Sequence, residues 1–182
     1  MNNMTLYNHT KSITQFVVKK GEQIIARIPG IAPGASMQVP TDNKFEVTAM
    51  AVIDGNTYTS APMDVSGSCG FLAQVLQVKA QGTYEFNVVE IASRSPSQLQ
   101  FQKTCISPVT FTITKNKKPL QIVVVGDAFE VQTVDISDTF YVYAVVNGVT
   151  TETFVTNNPA ATIVATVDDS DLEYGYATLD SK

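Results

Sequence analysis

Tryptophan is absent from this chain of 182 residues, histidine occurs once, and cysteine occurs twice. Each scarcity removes a class of chemistry. A Ser-His-Asp or Cys-His relay would have to use His9, which sits in a polar N-terminal stretch. No G-x-S-x-G elbow occurs, since Gly67-Ser68-Cys69-Gly70 lacks the spacing, and neither G-x-G-x-x-G nor a Walker A loop is present. The expectation is a protein that is not an enzyme. Cys69 and Cys105 are too few for a disulfide scaffold and too isolated for a zinc cluster. They read as thiols in a reducing compartment, with a disulfide formed after release as the alternative.

Charge is also scarce. Charged residues are 16% of the chain, against roughly 25% in ordinary soluble domains. The net charge of −5 repels phosphate backbones, so nucleic acid is not an expected partner. No run approaches the ~18 apolar residues that span a bilayer as a helix. The start, Met1 to Thr5, has neither the basic nor the apolar part of a secretory leader. The expected location is therefore cytoplasmic, with leaderless release as the alternative. The acceptor motifs Asn3-Met4-Thr5 and Asn8-His9-Thr10 matter only if the chain is secreted.

What is abundant is alternation. Hydrophobic residues make up 44% of the chain, enough to offset chain entropy. In Lys44 to Val52, Phe45, Val47, Ala49 and Ala51 fall on one face and Lys44, Glu46 and Thr48 on the other, the period of a half-buried strand. Asp54-Gly55 then supplies the left-handed positions of a tight hairpin. The same signals predict strands at Ile13–Val18, Gln23–Ile28, Met37–Val39, Leu72–Lys79 and Thr83–Ile91. No window reads as a capped amphipathic helix. The expected class is all-β.

The second half repeats this plan. Phe140, Val142, Ala144 and Val146 alternate as Phe45, Val47, Ala49 and Ala51 do, and Asn147-Gly148 stands where Asp54-Gly55 stood. Phe16 and Phe111 are 95 residues apart (111 − 16), and the same offset pairs Lys20 with Lys115, Val39 with Val134, and Phe45 with Phe140. Later the offset falls to 88 (163 − 75), pairing Val75 with Ile163 and Glu85-Phe86 with Glu173-Tyr174. These spacings predict an internal duplication: two tandem antiparallel β-sandwich units of Greek-key or immunoglobulin-like type, over 1–93 and 98–182. The polar, proline-bearing segment 94–97 would link them. The alternative is one larger sandwich whose halves share a core.

Three surfaces are candidates for binding. Tyr141, Tyr143 and Val145 occupy the outward face where Glu46, Thr48 and Met50 stand in the first half. Such an aromatic row marks a contact surface, either within the chain or toward a partner. Asp168, Asp169, Asp171 and Glu173 crowd carboxylates into one turn, which suits Ca²⁺ or a plain solvated loop. Lys19 and Lys20 answer Lys115, Lys117 and Lys118 in matching turns, suited to an anionic lipid or glycan, or to keeping strand ends soluble.

The function these features favour is a non-enzymatic structural, assembly or protein-interaction protein, self-associating or binding another protein. A membrane-active, toxin-like β protein and a carbohydrate- or calcium-binding module are the alternatives. The first rests on the Thr/Val-rich alternation of Val149–Val167, the second on Tyr58 or Tyr174 stacking on sugar. No cofactor is expected apart from Ca²⁺.

Overall fold

A computed structural model describes residues 2–42, 44–127, 129–167 and 177–182. Among them every regular element is a strand. In chain order these are β1 (Asn3–Asn8), β2 (Thr14–Lys20), β3 (Gln23–Ile31), β4 (Ser36–Pro40), β5 (Phe45–Ile53), β6 (Asn56–Thr59), β7 (Met63–Val65), β8 (Cys69–Val78) and β9 (Thr83–Ala92). There follow β10 (Gln98–Lys103), β11 (Val109–Lys115), β12 (Lys118–Val125), β13 (Gln132–Asp135), β14 (Phe140–Val146), β15 (Val149–Thr150), β16 (Phe154–Thr156), β17 (Thr162–Val167) and β18 (Ala177–Ser181). No helix among the described residues is long and apolar enough to cross a membrane.

The alternation read from sequence sets the burial. Phe140, Val142, Ala144 and Val146 are buried, and the residues between them are half-buried. β5 repeats this with Phe45, Val47, Ala49 and Ala51. The turns obey their chemistry: Asp54 and Gly55, and Asn147 and Gly148, all have positive φ, as a two-residue hairpin requires.

The chain forms two compact units, and they do not follow its sequence halves. One comprises 1–43 with 138–182; the other is 44–137. The division expected at 94–97 is therefore replaced by crossings near 43 and 137. The physical reason is strand pairing. β14 pairs with β2, and β5 with β11, so each central hairpin strand finds its partner in the opposite half of the sequence. Residues 94–97 lie in a turn inside the second unit. There the Ser93 hydroxyl donates to the carbonyls of Ser95 and Gln98, and the Ser97 carbonyl accepts from the Ile136 N–H.

In the first unit one sheet runs β18-β17-β1-β4 and the other β15-β14-β2-β3, with β16 also on β14. In the second unit the sheets run β9-β8-β10-β13 and β6-β5-β11-β12, with β7 also on β5. The two pairing diagrams coincide, strand for strand. Each has one parallel pair among antiparallel ones: β1 with β17, and β10 with β8. Register shifts fall at Val18/Lys19 between β2 and β3, and at Ile113/Thr114 between β11 and β12. In the two parallel pairs Leu6 lies opposite Ile163 and Phe101 opposite Phe71, whereas Val75, matched to Ile163 by the offset of 88, lies further along β8, beyond its pairing with β10.

Each core is closed by large side chains. In the second unit Phe101 of β10 stacks on Phe71 of β8 at 5.6 Å and meets Phe111 of β11 at 5.1 Å, joining its two sheets face to face. In the first unit Met4, Leu6, Phe16 and Ile163 are wholly buried.

Candidate functional site

The outward faces of the five-stranded sheets carry the residues singled out by sequence. On β14, Tyr141, Tyr143 and Val145 all project from the sheet opposite to the core and are half-exposed. Their neighbours follow from register. Lys19 and Val155 flank Tyr141, Val17 flanks Tyr143, and Gln15 and Thr150 flank Val145. The Lys19 ammonium lies 5.8 Å from the centre of the Tyr143 ring, a diagonal cation–π contact across the sheet. The result is an open aromatic–aliphatic strip with one cation laid across it.

The corresponding face of the second unit is apolar in a way its sequence did not advertise. Met50 and Val52 of β5 and Ile122 and Val124 of β12 are all exposed. β11 lies between them, with Thr110 opposite both Met50 and Val124, and Thr112 opposite both Thr48 and Ile122. Sequence reading missed this surface because the β12 residues come from a continuous apolar run, Ile122-Val123-Val124-Val125, in which alternation is invisible.

The two five-stranded sheets share a further device. On the outer side of β5, the Ala49 N–H donates to the Ser60 hydroxyl while the Ser60 N–H donates to the Ala49 carbonyl. On β14, Ala144 and Thr151 repeat both bonds. A hydroxyl here replaces the missing ladder carbonyl where the partner strand breaks into two pieces. The four-stranded sheets have their own counterpart. Buried Asn8 donates to the carbonyls of Ser12 and Ile31, and buried Lys103 donates to the carbonyls of Cys105, Ile106 and Ser107 at 3.0–3.1 Å.

The turn lysines divide: Lys19 and Lys20 have partners, whereas Lys117 and Lys118 are exposed. Lys20 bonds Asp138 at 3.1 Å. Burial pulls the Lys115 pKa below its ordinary value. Asn116 and Lys117 form a left-handed hairpin turn leading to Lys118. The carboxylates Asp168, Asp169, Asp171 and Glu173 lie outside the described residues, as does Tyr174, and among the described ones no cluster of three metal-binding side chains occurs.

His9 packs edge-on against Tyr7 at 4.8 Å in the first unit. Cys69 is buried in the second unit, and Cys105 is half-buried. Both are free thiols. Burial, with the Glu90 charge adding to it, pushes the Cys69 thiol above its ordinary range despite an opposing backbone hydrogen bond from Ser66.

Clefts also lie among the described residues of the first unit. A larger one of about 610 Å³ lies between Glu152–Val155 and Ala177–Asp180. A smaller one, about 320 Å³, is lined by residues including Lys20, Asp42, Asp138 and Asn157.

Comparison with protein-family models, curated proteins and solved structures finds no match.

Proposed function

We propose that this is a non-enzymatic β-sandwich protein that works by association, built from a duplicated module. The observation that carries the reading is the outward strip of Tyr141, Tyr143 and Val145 on an open sheet face. Half-exposed tyrosines on a sheet face supply contact area at low conformational cost, which suits a protein interface. The exposed Met50, Val52, Ile122 and Val124 give the second unit a comparable surface. Support for duplication comes from the coincident pairing diagrams and the repeated Ala49–Ser60 and Ala144–Thr151 bonds. The partner is a further copy of the chain or another protein.

Light scattering on a size-exclusion column in reducing buffer tests the self-association arm. A discrete oligomer is expected, reduced to the single-chain mass by Tyr141→Ser with Tyr143→Ser. An oligomer of unchanged mass in that variant would remove this face as the interface. A single-chain mass for the parent protein would remove self-association and leave a heterologous partner.

A further inference from the structure

The two compact units differ in how the chain supplies them. The second is one continuous segment, 44–137, whereas the first is assembled from the two segments that flank it, 1–43 and 138–182. Strands β1–β4 meet β14–β18 there, and β10–β13 meet β5–β9 in the second unit, in the same pairing diagram. Each group of four strands thus sits where the other group could sit. The connections that carry the chain between units are equally short, four residues from β4 to β5 (41–44) and four from β13 to β14 (136–139).

The junction itself is visible in the first unit. Thr41 and Asp42, where the chain leaves, and Asp138 and Phe140, where it returns, line the same cleft of about 320 Å³. The chain thus leaves and re-enters the first unit beside one cleft, and a reciprocal exchange of segment 1–43 between copies would keep every contact of the unit except those of the connections.

We propose that the first unit is an exchange joint: residues 1–43 of one chain close on residues 138–182 either of the same chain or of a second copy. The partner is therefore another molecule of this protein, and repeated closure between chains builds rings or filaments. The contacts suit that role. β2 and β14 pair over seven residues, β1 and β17 over four, and Phe16, Leu6, Val142 and Ile163 are buried across the seam. Closure between chains rebuilds every one of these contacts, so the choice between the two modes is set by effective concentration alone. For a tethered partner that is on the order of millimolar. The inference extends the assembly reading but does not use the Tyr141–Tyr143 face.

The test places a disulfide across the seam. Gln15 and Val145 are directly opposed on β2 and β14 and point outward, within the span a disulfide bridges. The full chain carries Gln15→Cys and Val145→Cys with Cys69→Ala and Cys105→Ser, and is unfolded, refolded and oxidised. Refolding at about 1 µM should give one internally linked chain on a non-reducing gel. Refolding at about 1 mM should give a ladder of covalent multimers, raising the multimer fraction roughly tenfold or more, because that concentration reaches the tethered value. Thr5→Cys with Thr162→Cys, opposed on β1 and β17, should behave alike and serves if the first pair folds poorly. A single-chain band at both concentrations would overturn the inference. So would an equal ladder from Gln15→Cys with Val155→Cys, which are not opposed. The same ladder is expected in the Tyr141→Ser, Tyr143→Ser background, so failure of the face leaves the joint standing.

Discussion

Single hydroxyls and amines carry unusual weight where ladders are broken. Ser60 and Thr151 each satisfy a buried N–H that has no strand carbonyl opposite it. Ser60→Ala and Thr151→Val should each cost about 1–3 kcal/mol, the penalty of an unpaired buried donor. A urea titration with unchanged slope checks this. Lys103 holds three carbonyls in one loop. Lys103→Met should lose about 1–3 kcal/mol by the same measurement, although methionine fills much of the space. The two thiols should label at different rates, Cys105 quickly and Cys69 only as the second unit opens. Because folding holds the Cys69 proton more tightly, its contribution to stability is intact below the ordinary thiol range. That contribution is lost as pH rises through and above that range. Melting temperatures between pH 8 and 10 should fall less in Cys69→Ala than in the parent.

At the scale of elements, legibility followed contrast. β5 and β14 were readable because apolar and polar residues alternate along them, and their hairpins were readable because Asp-Gly and Asn-Gly have one job. β1 was hidden. Its buried pair, Met4 and Leu6, alternates with Asn, Thr and Tyr in a stretch that reads as a polar start. β10 was hidden in the same way by Gln98, Gln100 and Gln102 around buried Leu99 and Phe101. The Tyr141–Val145 strip was found because its counterparts in the first half, Glu46 and Thr48, are polar. The β8–β9 hairpin adds a dynamic expectation. β10 pairs with β8 only over Gly70–Ala73, while β9 continues to pair as far as Val78. A two-stranded ribbon is marginal in water. Amide exchange should therefore be faster at Val75–Val78 and Thr83–Phe86 than at Gly70–Ala73.

At the scale of the whole molecule, the offset of 95 residues was legible but its consequence was not. A repeated spacing says only that one apolar pattern recurs. It does not say whether each copy folds on itself or on the other, because both arrangements satisfy the same hydrophobic pattern and the same pairs. Only the pairing of β2 with β14 and of β5 with β11 decides it. This pairing makes the two sequence halves mutually dependent, since neither compact unit draws its strands from one half alone. The most direct test is a single cut. A specific protease site replacing 94–97, in the turn between β9 and β10, divides the chain into its two halves without touching a strand. The cross-half pairing predicts that the nicked protein elutes at the mass of the uncut protein and that its fragments part only in denaturant. Fragments that separate in native buffer, each folded by itself, would contradict it.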